Sequence, residues 1–289
     1  MNNTLYNAHI ITDKEIALHE PTSEIYDRLK QSGVIVLREC FNKIEDFGSF
    51  VKRHSSRLTL DPGRTFTGGV AQLVDAGTSA VGLHCENGNA PIWPDLTWFF
   101  CTQAPLLGSQ TTLCDGVSTL EKLSEKTIKR FENKKIRYRR SVPGDKWRRI
   151  VCYYNTSIQD IEKARFEDLK KIVGDNSSTH MKYSPDEDSV DYSFTTSAIQ
   201  ISSFCQKPAF ANSILGPSFN YEKPTIDFED GEPFDNKLLV EINSVTDKNT
   251  YIVGWQDFDL VMIDNRRVMH GREKIIDDRR QIYNALSYR

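Results

Sequence analysis

The sequence predicts a mainly β protein, a barrel or jelly roll with flanking helices. Two observations carry that expectation. From about residue 64 short apolar runs recur between turn residues, and regular helical spacing is missing between most of them. Ahead of that region two helical patterns flank a β-branched run, so helices are expected on the outside.

Taken in order, Thr22-Ser23 before Glu24-Ile25 reads as a helix start, and Ile25, Leu29 and Lys30 carry the helix to Gly33. Val34-Ile35-Val36-Leu37 is a buried strand. Asn42 is placed to cap a second helix through Phe47, Phe50 and Val51. Strands are then predicted at Val81–Leu83, Leu96–Cys101, Thr111–Cys114, Ile136–Tyr138, Ala198–Ile201, Leu238–Ile242, Asp259–Ile263 and Tyr283–Ser287. Asn87-Gly88, Asp230-Gly231 and Asn265 supply turn signals between them. Residues 155–191 and 213–236 read as insertions. The first combines a helical pattern at Ile158–Val173 with a polar, turn-rich loop at Gly174–Asp191; the second is a Gly/Pro-rich loop. Long loops in compact domains commonly serve as lids. With no linker or internal repeat, residues 1–289 form one expected domain.

Composition excludes several classes. The 289 residues carry 37 Lys plus Arg against 40 Asp plus Glu, a net charge of −3 that gives no electrostatic case for nucleic acid or an anionic membrane. No apolar run approaches the ~20 residues a bilayer demands. The N-terminus lacks a basic start followed by an apolar run, and the six cysteines form no C-x-x-C pair. The expectation is therefore a cytoplasmic protein with reduced thiols, each a small buried hydrophobe.

Of the six histidines, His9, His19, His54 and His180 sit in polar contexts and read as solvated surface. His84 and His270 differ. His84 ends the run Ala80-Val81-Gly82-Leu83, and Glu86 follows at i+2, the same face of an extended strand, with Cys85 on the other. His270 follows the strand Leu260-Val261-Met262-Ile263 and its turn. Two imidazoles and one carboxylate suit a facial Fe(II) triad with open positions. Two unrelated histidines, or a His₂Glu zinc site, would look the same at this level, although no H-E-x-x-H helix is present. Arg279 and Arg280 lie downstream, where an arginine could grip a distal carboxylate; a solvated rim is the alternative. Thr111 or Thr112 could complete the same pocket.

Several motifs together resemble the taurine-dioxygenase-like Fe(II)/2-oxoglutarate oxygenases. Gly82-Leu83-His84-Cys85-Glu86-Asn87 resembles the family's H-x-E/D segment, and Trp93-Pro94, Phe99-Phe100-Cys101, Gly108-Ser109-Gln110-Thr111-Thr112 and Asp115 its following run. Phe210-Ala211-Asn212 resembles an intermediate W/F-x-N element. Val268-Met269-His270-Gly271-Arg272 and Arg280 resemble the second histidine and the co-substrate arginine. The order holds from about residue 20 onward, and the branch most resembled is that of the syringomycin-pathway hydroxylase. The resemblance implies a double-stranded β-helix (jelly roll) with His84, Glu86 and His270 on Fe(II), and Arg280 and Thr111 on 2-oxoglutarate. O₂ would be the other co-substrate. It further implies hydroxylation of an unactivated C–H bond in an amino acid or amino-acid-derived substrate, free or tethered to a carrier protein, in natural-product biosynthesis. Asn87, Asn212 and Asn284 are candidate substrate contacts; Asn284 stands where some members keep an arginine, which argues against a sulfonate substrate. Gly108-Ser109 departs from the usual Gly-Gly. Glu86 retains the carboxylate that halogenating relatives lack, so hydroxylation is expected rather than halide transfer. Desaturation, epoxidation or cyclisation would use the same site. A non-catalytic jelly-roll binding protein and a zinc hydrolase are the readings of another class.

Overall fold

The computed structural model describes residues 5–67, 69–74, 77–216 and 223–289. It is mainly β with helices outside. The larger sheet has eight strands, seven of them in the order His9–Ile11, Val34–Leu37, Leu260–Asp264, Leu96–Gln103, Gln281–Tyr288, Ala71–Leu73 and Phe66–Thr67, with Arg57–Thr59 also on Gln281–Tyr288. A four-stranded sheet orders Thr250–Ile252, Thr111–Asp115, Val268–Arg272 and Val81–His84. Leu113 and Val268 of the smaller sheet share one core with Val36, Phe99, Val261 and Ile263 of the larger.

The strand Leu96–Gln103 explains why the larger sheet reads as continuous apolar sequence. Alternate residues face opposite sides of a strand, and both sides are covered here. Phe99 and Cys101 enter the core between the sheets. Trp98 and Phe100 pack instead with Ile25, Leu29, Phe47, Phe50 and Val51 of the helices Thr22–Ser32 and Ile44–Arg53. Gly33 ends the first helix in the left-handed region at φ 74°, as a C-terminal glycine should. The second helix begins later than predicted: Lys43, with no side-chain cap, precedes it, and Asn42 is not its cap.

Other expectations need correction. Leu238–Ile242 lies within the helix Asn236–Lys248, capped by Asp235 accepting from the Leu238 N–H, and not in a strand. Gly174–Asp191 is no loop. It holds the strand Thr179–Ser184 and the start of Ser189–Thr196, which pair as a hairpin. That hairpin joins Ile136–Pro143 and Thr225–Phe228 in a third sheet, roofed by the helices Gly144–Tyr154 and Phe166–Val173. Ile158–Val173 therefore yields only a short 3₁₀ turn, Ile161–Lys163, and the second of those helices. Thr225–Phe228 is a strand within the 213–236 segment; residues 217–222 of that segment lie outside the described residues. Cys152 and Cys205 are only part-buried, while the other four cysteines are buried.

Two glycines allow a close crossing beside His84. A Cβ on Gly216 would stand 1.9 Å from the Gly82 carbonyl oxygen. Gly216→Ala should therefore lower stability by about 1–3 kcal/mol, the scale of overpacking, in chemical denaturation.

His54, expected at the surface, is fully buried. Arg53 Nε donates to its Nε2 at 3.1 Å, so Nδ1 carries the proton and faces Thr22 Oγ1 at 2.9 Å. Burial and the Arg53 charge push its pKa down to about 4. Between about 6.5 and 4 the unfolded chain binds this proton and the fold does not, so stability is full above that window and falls with pH through it. From pH 7 to pH 5 the loss from this residue should be about 2 kcal/mol. In His54→Gln the pH dependence of the unfolding free energy should shrink by that amount.

Candidate metal centre

The strand Val81–His84 pairs with Val268–Arg272, and His84 stands directly opposite His270 in that register. Their ring centroids are 4.4 Å apart. His270, expected just beyond a strand, lies inside one. Glu86 returns to the same face as His84, whereas Cys85 turns into the second core with Phe131, Phe210 and Met269. Glu86 Oε2 is 3.1 Å from His270 Nε2 and 3.9 Å from His84 Nε2. One donor atom from each of the three buried residues lies within 4.8 Å of the others.

Neighbouring groups fix each donor. His84 Nδ1 is 2.9 Å from the Gly82 carbonyl oxygen, so that nitrogen holds the proton and Nε2 presents its lone pair. Burial, then the nearby His270, pushes the His84 pKa down to about 4, which keeps the ring neutral at neutral pH. Burial alone would raise the Glu86 pKa; Arg64, whose Nη2 is 3.5 Å from Oε1, and the His270 contact hold it well below the carboxylate range. Asn265 grips the Glu86 backbone at both ends. Its Oδ1 accepts from the Glu86 N–H at 2.8 Å, and its Nδ2 donates to the Glu86 and Pro94 carbonyls at 2.9 Å each. Phe99 closes one side, edge-on to His270 at 5.1 Å between centroids.

A basic pocket adjoins this cluster. Arg280 Nη2 donates to Thr111 Oγ1 at 3.3 Å, and Trp255 Nε1 donates to the same oxygen at 3.1 Å. Thr111 stands opposite Arg272 across the sheet. Burial, then repulsion from Arg272, pushes the Arg280 pKa down to about 10. Arg279 points elsewhere, pairing with Asp277 at 2.9 Å.

The three asparagines separate. Asn87, at φ 54°, donates to the Leu60 carbonyl at 3.1 Å and lines a cavity. Asn284 is fully buried opposite Phe99, and both amide atoms lack a hydrogen bond among the described residues. Asn212 is buried. Its Nδ2 donates to the Ala198 carbonyl, its Oδ1 accepts from the Ile214 N–H, and its backbone carbonyl accepts from the Cys85 N–H beside His84.

A sequence model described as the taurine catabolism dioxygenase TauD, TfdA family matches residues 8–286. The chain belongs to the TauD/TfdA family. No curated protein matches it. Solved structures resemble it at the level of fold. A taurine dioxygenase from Burkholderia xenovorans gives a TM-score of 0.59 at 13% identity, covering 98% of this chain and 88% of the other. PvcB from Pseudomonas aeruginosa gives 0.56 at 13%, covering 99% and 82%. AAD-2, in complex with Mn(II) and N-oxalylglycine, gives 0.56 at 15%, covering 98% and 95%.

As a TauD/TfdA member the chain is an Fe(II)- and 2-oxoglutarate-dependent dioxygenase acting on a small molecule. The donor chemistry fits that cofactor: two imidazoles and one anionic carboxylate are the usual set for non-heme Fe(II). His84 Nε2, Glu86 Oε2 and His270 Nε2 face one another in a buried cluster, the arrangement of donors such an ion needs. No described helix is long and apolar enough to cross a membrane.

Sequence reading missed Arg64, Arg272 and Asn265. Asn265 was seen only as a turn residue, and nothing in its spacing announces a bond to Glu86 across 179 positions. Supports of this kind usually change metal affinity about 10–100-fold when removed. Asn265→Ala should weaken Co(II) or Fe(II) binding on that scale in an equilibrium titration, with the unfolding midpoint followed in parallel. Unchanged affinity would show that the amide does not orient Glu86 for a metal.

Proposed function

We propose that this dioxygenase hydroxylates an unactivated C–H bond of an amino acid or amino-acid-derived substrate in natural-product biosynthesis. The observation that carries the reading is the convergence of His84, Glu86 and His270 inside a chain of this family. In this reading residues 1–289 act as one oxygenase domain, and the two facing sheets are a double-stranded β-helix, or jelly roll. PvcB, described as an Fe, alpha-ketoglutarate dependent oxygenase from an isonitrile synthetic pathway, is consistent with the natural-product setting.

His84 and His270 hold Fe(II) as neutral imidazoles, and Glu86 holds it as a carboxylate that offsets part of its charge. Arg280 pairs with the distal carboxylate of 2-oxoglutarate, and Thr111, already accepting two N–H bonds, turns its own hydroxyl hydrogen toward the co-substrate. Asn87 and the unpartnered amide of Asn284 face the substrate. When bound, the iron and its co-substrate supply the O₂ activation that oxidises the C–H bond. The stoichiometry is R–H + 2-oxoglutarate + O₂ giving R–OH + succinate + CO₂. The protein holds the reacting groups together and keeps them from solvent; His84, Glu86 and His270 are each at most 5% exposed.

Anaerobic addition of 2-oxoglutarate to the Fe(II)-loaded protein should produce a charge-transfer absorption. In air, turnover should yield one succinate for each oxygen atom gained by the product. His84→Ala should lose the absorption, and a variant matching the parent would overturn the ligand assignment. Arg280→Met should raise the KM for 2-oxoglutarate by roughly 10–100-fold, the loss of a charged hydrogen bond, with a smaller change in kcat.

A further inference from the structure

Two buried amides lie side by side on the inner face of the larger sheet, and they differ in what they bond. In the strand Gln281–Tyr288, Ile282 enters the core between the sheets, while Tyr283 and Ala285 pack on the helix side. Asn284 therefore shares the inner face with Ile282. Its cross-strand neighbours are Phe99 on one side and Gln72 on the other. Gln72 is committed to backbone. Its Oε1 accepts from the Asp61 N–H at 2.9 Å, and its Nε2 donates to the Asp61 and Arg64 carbonyls at 3.0 and 3.3 Å. Asn284 is fully buried, yet neither its Oδ1 nor its Nδ2 has a hydrogen bond among the described residues. A buried amide open at both ends is costly and uncommon in a folded chain.

The same neighbours tie Asn284 to the metal centre. Phe99 meets His270 edge-on at 5.1 Å between ring centroids. Gln72 holds the backbone of Arg64, whose Nη2 lies 3.5 Å from Glu86 Oε1. Asn284 thus stands between a ring that flanks one metal ligand and a segment that contacts another. Arg280, assigned to the co-substrate, lies four residues back, about 13 Å along an extended chain. That is too far for one small head group to take both.

An amide offers N–H donors and a carbonyl acceptor side by side. A carboxylate would satisfy Nδ2 and set its lone pairs against Oδ1. An ammonium would satisfy Oδ1 and crowd the N–H groups, and an alkyl group would leave both ends open. A second carboxamide closes both bonds, whichever way the Asn284 amide is turned. On the proposed oxygenase reading, we infer that the substrate presents a neutral carboxamide to Asn284, held by paired hydrogen bonds. The carboxamide belongs either to the side chain of the amino acid or to an amidated carboxyl group.

Calorimetric titration of the Fe(II)- and 2-oxoglutarate-loaded protein without O₂ reads recognition apart from turnover. L-Asparagine is compared with L-aspartate and L-leucine, L-glutamine with L-glutamate and L-homoleucine, and L-leucinamide with L-leucine. At least one carboxamide should bind about tenfold or more tightly than its counterparts, the scale of two buried hydrogen bonds. Preference for asparagine or glutamine identifies a side-chain carboxamide, and preference for leucinamide an amidated carboxyl. Asn284→Leu should bring the favoured carboxamide and its counterparts to equal affinity. It should leave the unfolding midpoint of the ligand-free protein unchanged or higher, because the native amide has no bond within the fold to lose. Asn284→Asp, which keeps the shape and the acceptor, should weaken the carboxamide about tenfold and still reject the carboxylate. Carboxylate or apolar counterparts that bind the parent as well as the carboxamides, binding of no carboxamide, or a preference that survives Asn284→Leu would overturn the inference. If 2-oxoglutarate gives no charge-transfer absorption at all, the oxygenase reading fails instead; if the absorption forms and the carboxamide preference does not, only the present inference falls.

Discussion

The pairing of Val81–His84 against Val268–Arg272 governs the rest of the site, because it sets His84 opposite His270. A slip of one residue in either strand would turn its imidazole to the other face and dissolve the cluster. Packing on both sides of the smaller sheet prevents that slip. Cys85 and Met269 are committed to the core with Phe131 and Phe210, while Leu113 and Val268 are committed to the core between the sheets. The register is therefore held by apolar residues that take no part in chemistry. A metal site can be built on it without the metal having to organise the strands.

Charge around the cluster is arranged with equal economy. Glu86 is a buried carboxylate, a costly state that Arg64 and His270 offset. The pocket of Thr111 has the opposite sign: burial and the nearby Arg272 charge push the Arg280 pKa down. A co-substrate with two carboxylates suits a pocket of that sign.

How far the sequence could be read depended on the range of the signal. His84, Cys85 and Glu86 follow the alternation of an extended chain, and that local rule put the imidazole and carboxylate on one face as found. Val34–Leu37 and Leu96–Gln103 were legible because strands covered on both sides show as unbroken apolar runs. Leu238–Ile242 misled for the same reason: a short apolar run is ambiguous, and the Asp235 cap that decides for helix lies three residues upstream. The hairpin at 179–196 was hidden by its composition. Its strands are half-exposed and polar, and their pairing with Ile136–Pro143 supplies the order that their own residues do not advertise. His54 shows the same limit, since its burial comes from helix packing against Thr22, far away in sequence. Arg64 and Asn265 act on Glu86 wholly through tertiary proximity, which no local pattern encodes.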